Sequence, residues 1–129
     1  MRIIFFLILP IFLITACKEK SNLEAEVIAI HDEVMPKMGD IHVAKKQLRK
    51  LMGEGTSDSL KTEILELISD LEKADEGMMD WMDKWDVPTE EPAMTAYLEK
   101  EKIKITKVKE DMLNSIEAAN AYIQKANQK

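Results

Sequence analysis

From Leu60 to Trp85 the chain reads Leu60-Lys61-Thr62-Glu63-Ile64-Leu65-Glu66-Leu67-Ile68-Ser69-Asp70-Leu71-Glu72-Lys73-Ala74-Asp75-Glu76-Gly77-Met78-Met79-Asp80-Trp81-Met82-Asp83-Lys84-Trp85. Within it Leu60, Ile64, Leu67, Leu71, Ala74, Met78, Trp81 and Trp85 alternate four and three without a break. Residues three and four apart share one face of an α-helix, so the spacing predicts an amphipathic helix of about 39 Å at 1.5 Å per residue. Asp86-Val87-Pro88-Thr89 ends it, because proline cannot continue a helix and its predecessor avoids helical geometry.

The same periodicity recurs on both sides. Upstream, Leu23, Val27, Ile30, Val34, Ile41, Ala44, Leu48 and Leu51 predict a helix over Leu23–Leu51, interrupted only at Lys37 and kinked near Pro36. Ser21-Asn22-Leu23-Glu24 has the form of a capping box at its start. Gly53-Glu54-Gly55-Thr56-Ser57 reads as a loop whose hydroxyls cap the second helix. Downstream, Thr89-Glu90-Glu91-Pro92 opens a third helix over Pro92–Ala126, with acids and proline where free N–H groups favour them. Its stripe is Met94, Leu98, Glu101, Ile105, Val108, Met112, Ser115, Ala119, Tyr122 and Ala126, with Glu101 and Ser115 as polar exceptions. No strand alternation and no internal repeat is present. The expected fold is all-α: an up-down-up antiparallel three-helix bundle with coiled-coil-like packing, formed by residues 23–129.

Composition agrees with long helices. Of 129 residues, 46% are apolar, enough for a core, while 33% are charged and only 5% aromatic, with four Gly and four Pro. That balance argues against a turn-rich sandwich, a disordered tail and a polytopic membrane protein. A single cysteine rules out an internal disulfide framework and a Cys-based zinc site. A net charge of −6 makes nucleic acid an unfavourable partner. Charge is uneven: residues 17–91 hold 19 acids and 10 bases, whereas the third helix carries Lys100, Lys102, Lys104, Lys107 and Lys109. The lysine row reads as a solvated face making interhelical pairs with acidic neighbours.

Met1-Arg2 followed by the apolar run Ile3–Ile14 is too short to span a bilayer, which needs about 20 residues, and reads as a signal-peptide core. It leads into Ile14-Thr15-Ala16-Cys17 and then Lys18-Glu19-Lys20. This border resembles the lipobox of bacterial lipoproteins. The resemblance implies that residues 1–16 are removed, that Cys17 carries acyl chains such as palmitate, and that residues 17–22 are a tether. At ~0.8 kcal/mol per buried methylene, several chains on one cysteine anchor the protein stably in a membrane. Lys18, rather than Asp, after the cysteine favours the outer membrane, facing the periplasm.

One constellation could carry chemistry. His31, Met35, Met38 and His42, spaced four, three and four, form a stripe on the flank of the first helix. Antiparallel pairing about Thr56 sets residue 31 opposite about residue 81, and pairing about Pro88 sets Met94 opposite Met82. His31, Met35, Met38, Met78, Met82 and Met94 would then gather with both tryptophans at one end of the bundle. Thioether and imidazole suit Cu(I), and an aromatic face can contact a soft cation. Met packed on Trp is also ordinary core, so copper is the alternative reading and not the leading one. Haem is disfavoured by the lack of a Cys-x-x-Cys-His motif. Asp32-Glu33 and Asp75-Glu76 cannot chelate one ion, because adjacent helical residues diverge by about 100°. No nucleophile elbow, phosphate loop or HExxH motif points to an enzyme.

Together with the lipobox, His31-Asp32-Glu33-Val34-Met35-Pro36-Lys37-Met38-Gly39-Asp40-Ile41 and Met78-Met79-Asp80-Trp81-Met82 resemble a family of small helical bacterial lipoproteins. Automatic naming labels that family "viral A-type inclusion protein", a label that follows coiled-coil similarity. The resemblance implies a helical bundle of the cell envelope and no particular activity. The expected function is therefore a membrane-tethered, non-enzymatic module that binds another envelope protein or itself.

Overall fold

A computed structural model of the chain describes residues 15–128, with side chains from Asn22 onward. Residues 1–14 of the expected signal segment lie outside the described residues, and so does the side chain of Cys17. Four helices follow in order: α1 (Thr15–Val34), α2 (Lys37–Leu51), α3 (Asp58–Asp83) and α4 (Ala93–Asn127). The first two form one rod bent by 29°, so three helices pack against one another as the periodicity predicts. No described helix is long and apolar enough to cross a membrane.

The bend sits at Pro36. Its missing N–H leaves the Asp32 carbonyl without its usual helical donor, and tight bonds from Met38 N to Met35 O and Gly39 N to Pro36 O restart the helix, both at 3.2 Å. The turn between α2 and α3 is built from the expected residues. Gly55 takes φ +88, Thr56 Oγ1 donates to Leu51 O (3.1 Å) and Gly53 O (2.9 Å), and Ser57 Oγ accepts from Leu60 N. At the other end of the first rod the expectation needs correction. Helix α1 begins at Thr15, so Ser21 lies inside it instead of capping it.

The core runs the length of the rods, with Val27, Val34, Ile41, Leu48, Ile64, Leu71, Met78, Leu98, Ile105 and Met112 all fully buried. On α3 the buried face is Ile64, Ile68, Leu71, Ala74, Met78 and Trp81. Two members of the expected stripe depart from it: Leu60 is exposed, and Leu67 is half-buried while Ile68 takes the core position. A strict four-three alternation drifts by about 20° per heptad on a straight helix, so the stripe cannot stay on one line over 26 residues.

Helix α4 touches all three others. It runs parallel to α1, where Lys102 pairs with Glu26 (2.5 Å) and Lys109 with Glu33 (2.6 Å). On the other side Lys45 and Arg49 of α2 share Glu72 of α3, at 3.1 and 3.2 Å. Such surface pairs are worth ~0–1 kcal/mol each and mark register more than they stabilise. Lys107 pairs within its own helix, with Asp111. Of the five lysines, Lys102 and Lys109 make the expected interhelical pairs, Lys104 and Lys107 pair within α4, and Lys100 takes part in none of the ion pairs of the described residues.

Candidate functional site

Four rings form a ladder across the bundle. His31 of α1 stacks on Trp81 of α3 with centroids 5.6 Å apart and 29° between planes. Trp81 contacts Trp85 at 5.0 Å, and Trp85 contacts Tyr97 of α4 at 5.8 Å. Tilted and offset contacts at these separations suit aromatic quadrupoles. The Tyr97 hydroxyl accepts from the Asp86 backbone N–H (2.8 Å) and donates to Lys84 O, tying the end of α3 to the start of α4. The indole Nε1 of Trp81 is buried with no hydrogen-bond partner.

His31 therefore stands opposite Trp81, as the pairing about Thr56 predicts. The second pairing is corrected. Trp85 meets Tyr97, and a methyl group added at Gly77 would lie 4.0 Å from Val108 Cγ2, so the reversal falls near Glu91 rather than Pro88. That register sets Met82 level with Lys100 and leaves Met94 nearly two turns farther out. Through the offset shown by Lys102–Glu26 and Lys109–Glu33, Met94 lies instead level with Lys18 of α1. The loop runs on along the axis before turning back, and α4 overhangs the end of α3.

The six proposed ligands are consequently dispersed. Met78 is fully buried in the core and Met94 is buried on the overhang. Met35 and Met38 flank Pro36 and pack partly buried against the core, while His42 is exposed. Only His31 and Met82 share a space: a shallow hollow of about 150 Å³ lined by Ile28, His31, Trp81, Met82 and Trp85. His31 Nδ1 lies 2.9 Å from Asp32 Oδ1. Among the described residues no group of three or more His, Cys, Asp or Glu is placed to hold a metal ion.

Sequence reading missed a second concave feature, along the α3–α4 seam toward the opposite end. A hollow of about 400 Å³ lies between Leu67, Asp70, Lys73 and Ala74 of α3 and Asp111, Asn114, Ser115 and Ala118 of α4. It continues into one of about 360 Å³ bounded by Glu63, Glu66, Ala121, Tyr122 and Lys125. From Asp111 to Lys125 the groove follows α4 for about 21 Å. Its floor is low because Ala74, Ser115, Ala118 and Ala121 are small. Ser115 turns its hydroxyl back onto Met112 O (3.0 Å), so it places no unsatisfied donor in the groove. Burial, then the Glu63 carboxylate, pushes the Tyr122 phenol above its ordinary range. The signal was present in Ser115-Ile116-Glu117-Ala118-Ala119-Asn120-Ala121, a run too small-sided for an ordinary bundle seam.

One charge is buried in the helix interior. Glu101 is 3% exposed and takes a bond from Lys104 Nζ at 2.6 Å, and that carboxylate holds the lysine above its ordinary range. No nucleophile or base accompanies it in a cavity. The chain matches no protein-family model, no curated protein and no solved structure.

Proposed function

We propose that the protein is a lipid-anchored, non-enzymatic module of the cell envelope, held in the outer membrane by acyl chains on Cys17, that binds a helix of a partner protein in the α3–α4 groove. The observation that carries this reading is the groove itself. Four turns long, floored by small residues and edged by four acids and two lysines, Lys73 and Lys125, it has a shape that suits one amphipathic helix. Glu63 and Glu66 on its rim take part in none of the ion pairs of the described residues. A helix with basic residues beside a small apolar stripe would neutralise that rim and fill the floor. Helix α2 of a second copy has this character, with exposed Lys46 and Lys50 next to exposed Val43.

The test is photo-crosslinking in intact membranes. A photoreactive phenylalanine analogue replaces Ala118 in one full-length chain and exposed Glu99 in another. The reading expects a discrete adduct from position 118 that is absent from position 99. An adduct of twice the chain mass identifies a second copy, and any other discrete mass a different envelope protein. Equal labelling at both positions, or none, overturns the groove. The anchor is checked separately with a fatty-acid analogue, which is expected to label the wild type and not Cys17→Ala.

A further inference from the structure

The hollow at the ring ladder lies away from the groove, and its chemistry is different. At about 150 Å³ it is smaller than the ~300–1,000 Å³ of organic-ligand pockets, yet it has room for an ion and a few waters. Two of its five lining residues carry a free donor. Nδ1 of His31 is taken up by Asp32 Oδ1 at 2.9 Å, which leaves Nε2 as the ring nitrogen available to a ligand in the tautomer where Nδ1 donates. Anchoring one ring nitrogen on a carboxylate is also the usual way a protein orients a metal-binding imidazole. The second donor is the thioether of Met82, beside it in the same hollow.

We propose that this hollow binds one soft monovalent cation, Cu(I) or its surrogate Ag(I), with His31 Nε2 and Met82 sulfur as its two donors. Three features select for that class. A neutral nitrogen with a thioether is a soft, low-charge set, suited to Cu(I) and poor for harder divalent ions. No cluster of three or more His, Cys, Asp or Glu stands nearby among the described residues to offer a harder site. The imidazole stacks on the Trp81 indole with centroids 5.6 Å apart and 29° between planes, so an aromatic ring of the kind that attracts cations stands beside the nitrogen donor. Field and dipole act in the same direction: Met82 is in the last turn of α3, where free carbonyls favour a cation. Lys84, the nearest lysine in sequence, is engaged by Asp80 at 2.6 Å.

This site differs from the six-residue cluster that spacing suggested, and the difference makes it testable. The full-length protein in detergent is titrated anaerobically with Cu(I) against a chromogenic chelator, and with Ag(I) while tryptophan emission is followed. The expected result is one equivalent bound, with emission from Trp81 and Trp85 quenched as it binds. His31→Phe keeps the ring stack and Met82→Leu keeps the volume, and each removes one donor. Loss of an orienting group alone typically costs ~10–100-fold in metal affinity, so removing a donor is expected to cost at least about 100-fold. Met79→Leu and Met94→Leu are expected to bind as the wild type does. Should His31→Phe disturb the helical circular dichroism spectrum, Met82→Leu alone decides the matter. Unchanged affinity in Met82→Leu, an equal loss in Met79→Leu, or binding without a change in emission overturns the site.

Discussion

Where Trp81, Trp85 and Tyr97 meet, rings fill the seam between α3 and α4, whereas from Ala74 to Lys125 the same two helices leave a groove over small residues. Backbone geometry separates the two regions little, since Trp81, Tyr97 and the groove residues lie in helices and only Trp85 falls just past the end of α3. Side-chain volume does. Large rings fix one end and join all three rods, and small residues at the other leave space that only a further element could fill. On the proposed reading, stability and partner recognition would fall to different parts of one seam, and substitutions at either part should report which role it has.

The largest difference is expected between Trp81→Ala and Ala118→Leu. Trp81 is 6% exposed and touches rings on both sides, so truncation should cost ~3–5 kcal/mol of unfolding free energy. Ala118 is exposed on the groove lining, and the larger side chain there should change stability by less than ~0.5 kcal/mol. Denaturant unfolding measures both, and similar costs at the two positions would break the comparison.

A smaller effect is expected from Tyr97→Phe, which keeps the ring against Trp85 and removes the hydroxyl bonded to Asp86 N and Lys84 O. About 1 kcal/mol should be lost, together with hydrogen-exchange protection at the Asp86 amide. Unaltered protection there would mean that stacking alone holds the overhang.

The smallest is a pH effect that should act at both ends. Lys104 is raised by the Glu101 carboxylate and Tyr122 by burial, so in each case the folded chain holds its proton more tightly than the unfolded chain. Stability from either group is complete below the ordinary lysine and tyrosine ranges and falls as pH rises through the raised value. Denaturation midpoints should therefore decline at alkaline pH, less steeply in Lys104→Met and in Tyr122→Phe. A parallel decline in both variants and the wild type would assign the effect to other groups.

Much of this layout could be read from residue order. Three rods, the break at Pro36, the Ser57 cap and the level of His31 with Trp81 all follow from local rules: period, proline chemistry, capping, and the short reach of a five-residue loop. The level of Met94 did not follow, because the loop after Asp83 travels along the axis before it turns, and nothing in Asp86-Val87-Pro88-Thr89 fixes how far. Leu60 and Leu67 left the seam for a different reason, a gradual mismatch between a 3.5-residue pattern and a 3.6-residue helix. The groove escaped because it is a deficit of volume shared by two helices, whereas periodicity reports each helix alone.

The unbroken helix through Cys17 has one more consequence. If Cys17 carries the proposed acyl anchor, the helix that runs through it would make the bundle a stalk rather than a float on a string, with its features at set heights. His31 lies 14 residues above Cys17, about 21 Å at 1.5 Å per residue. Cys17 is level with Ala93, so Ala118 in the groove stands about 38 Å out. A cation at the ring ladder would thus be met close to the lipid surface. A partner in the groove would be met nearly 4 nm away, on the far side of the 29° bend. The protein would measure distance from its membrane, holding what it captures at a height set by helix rise.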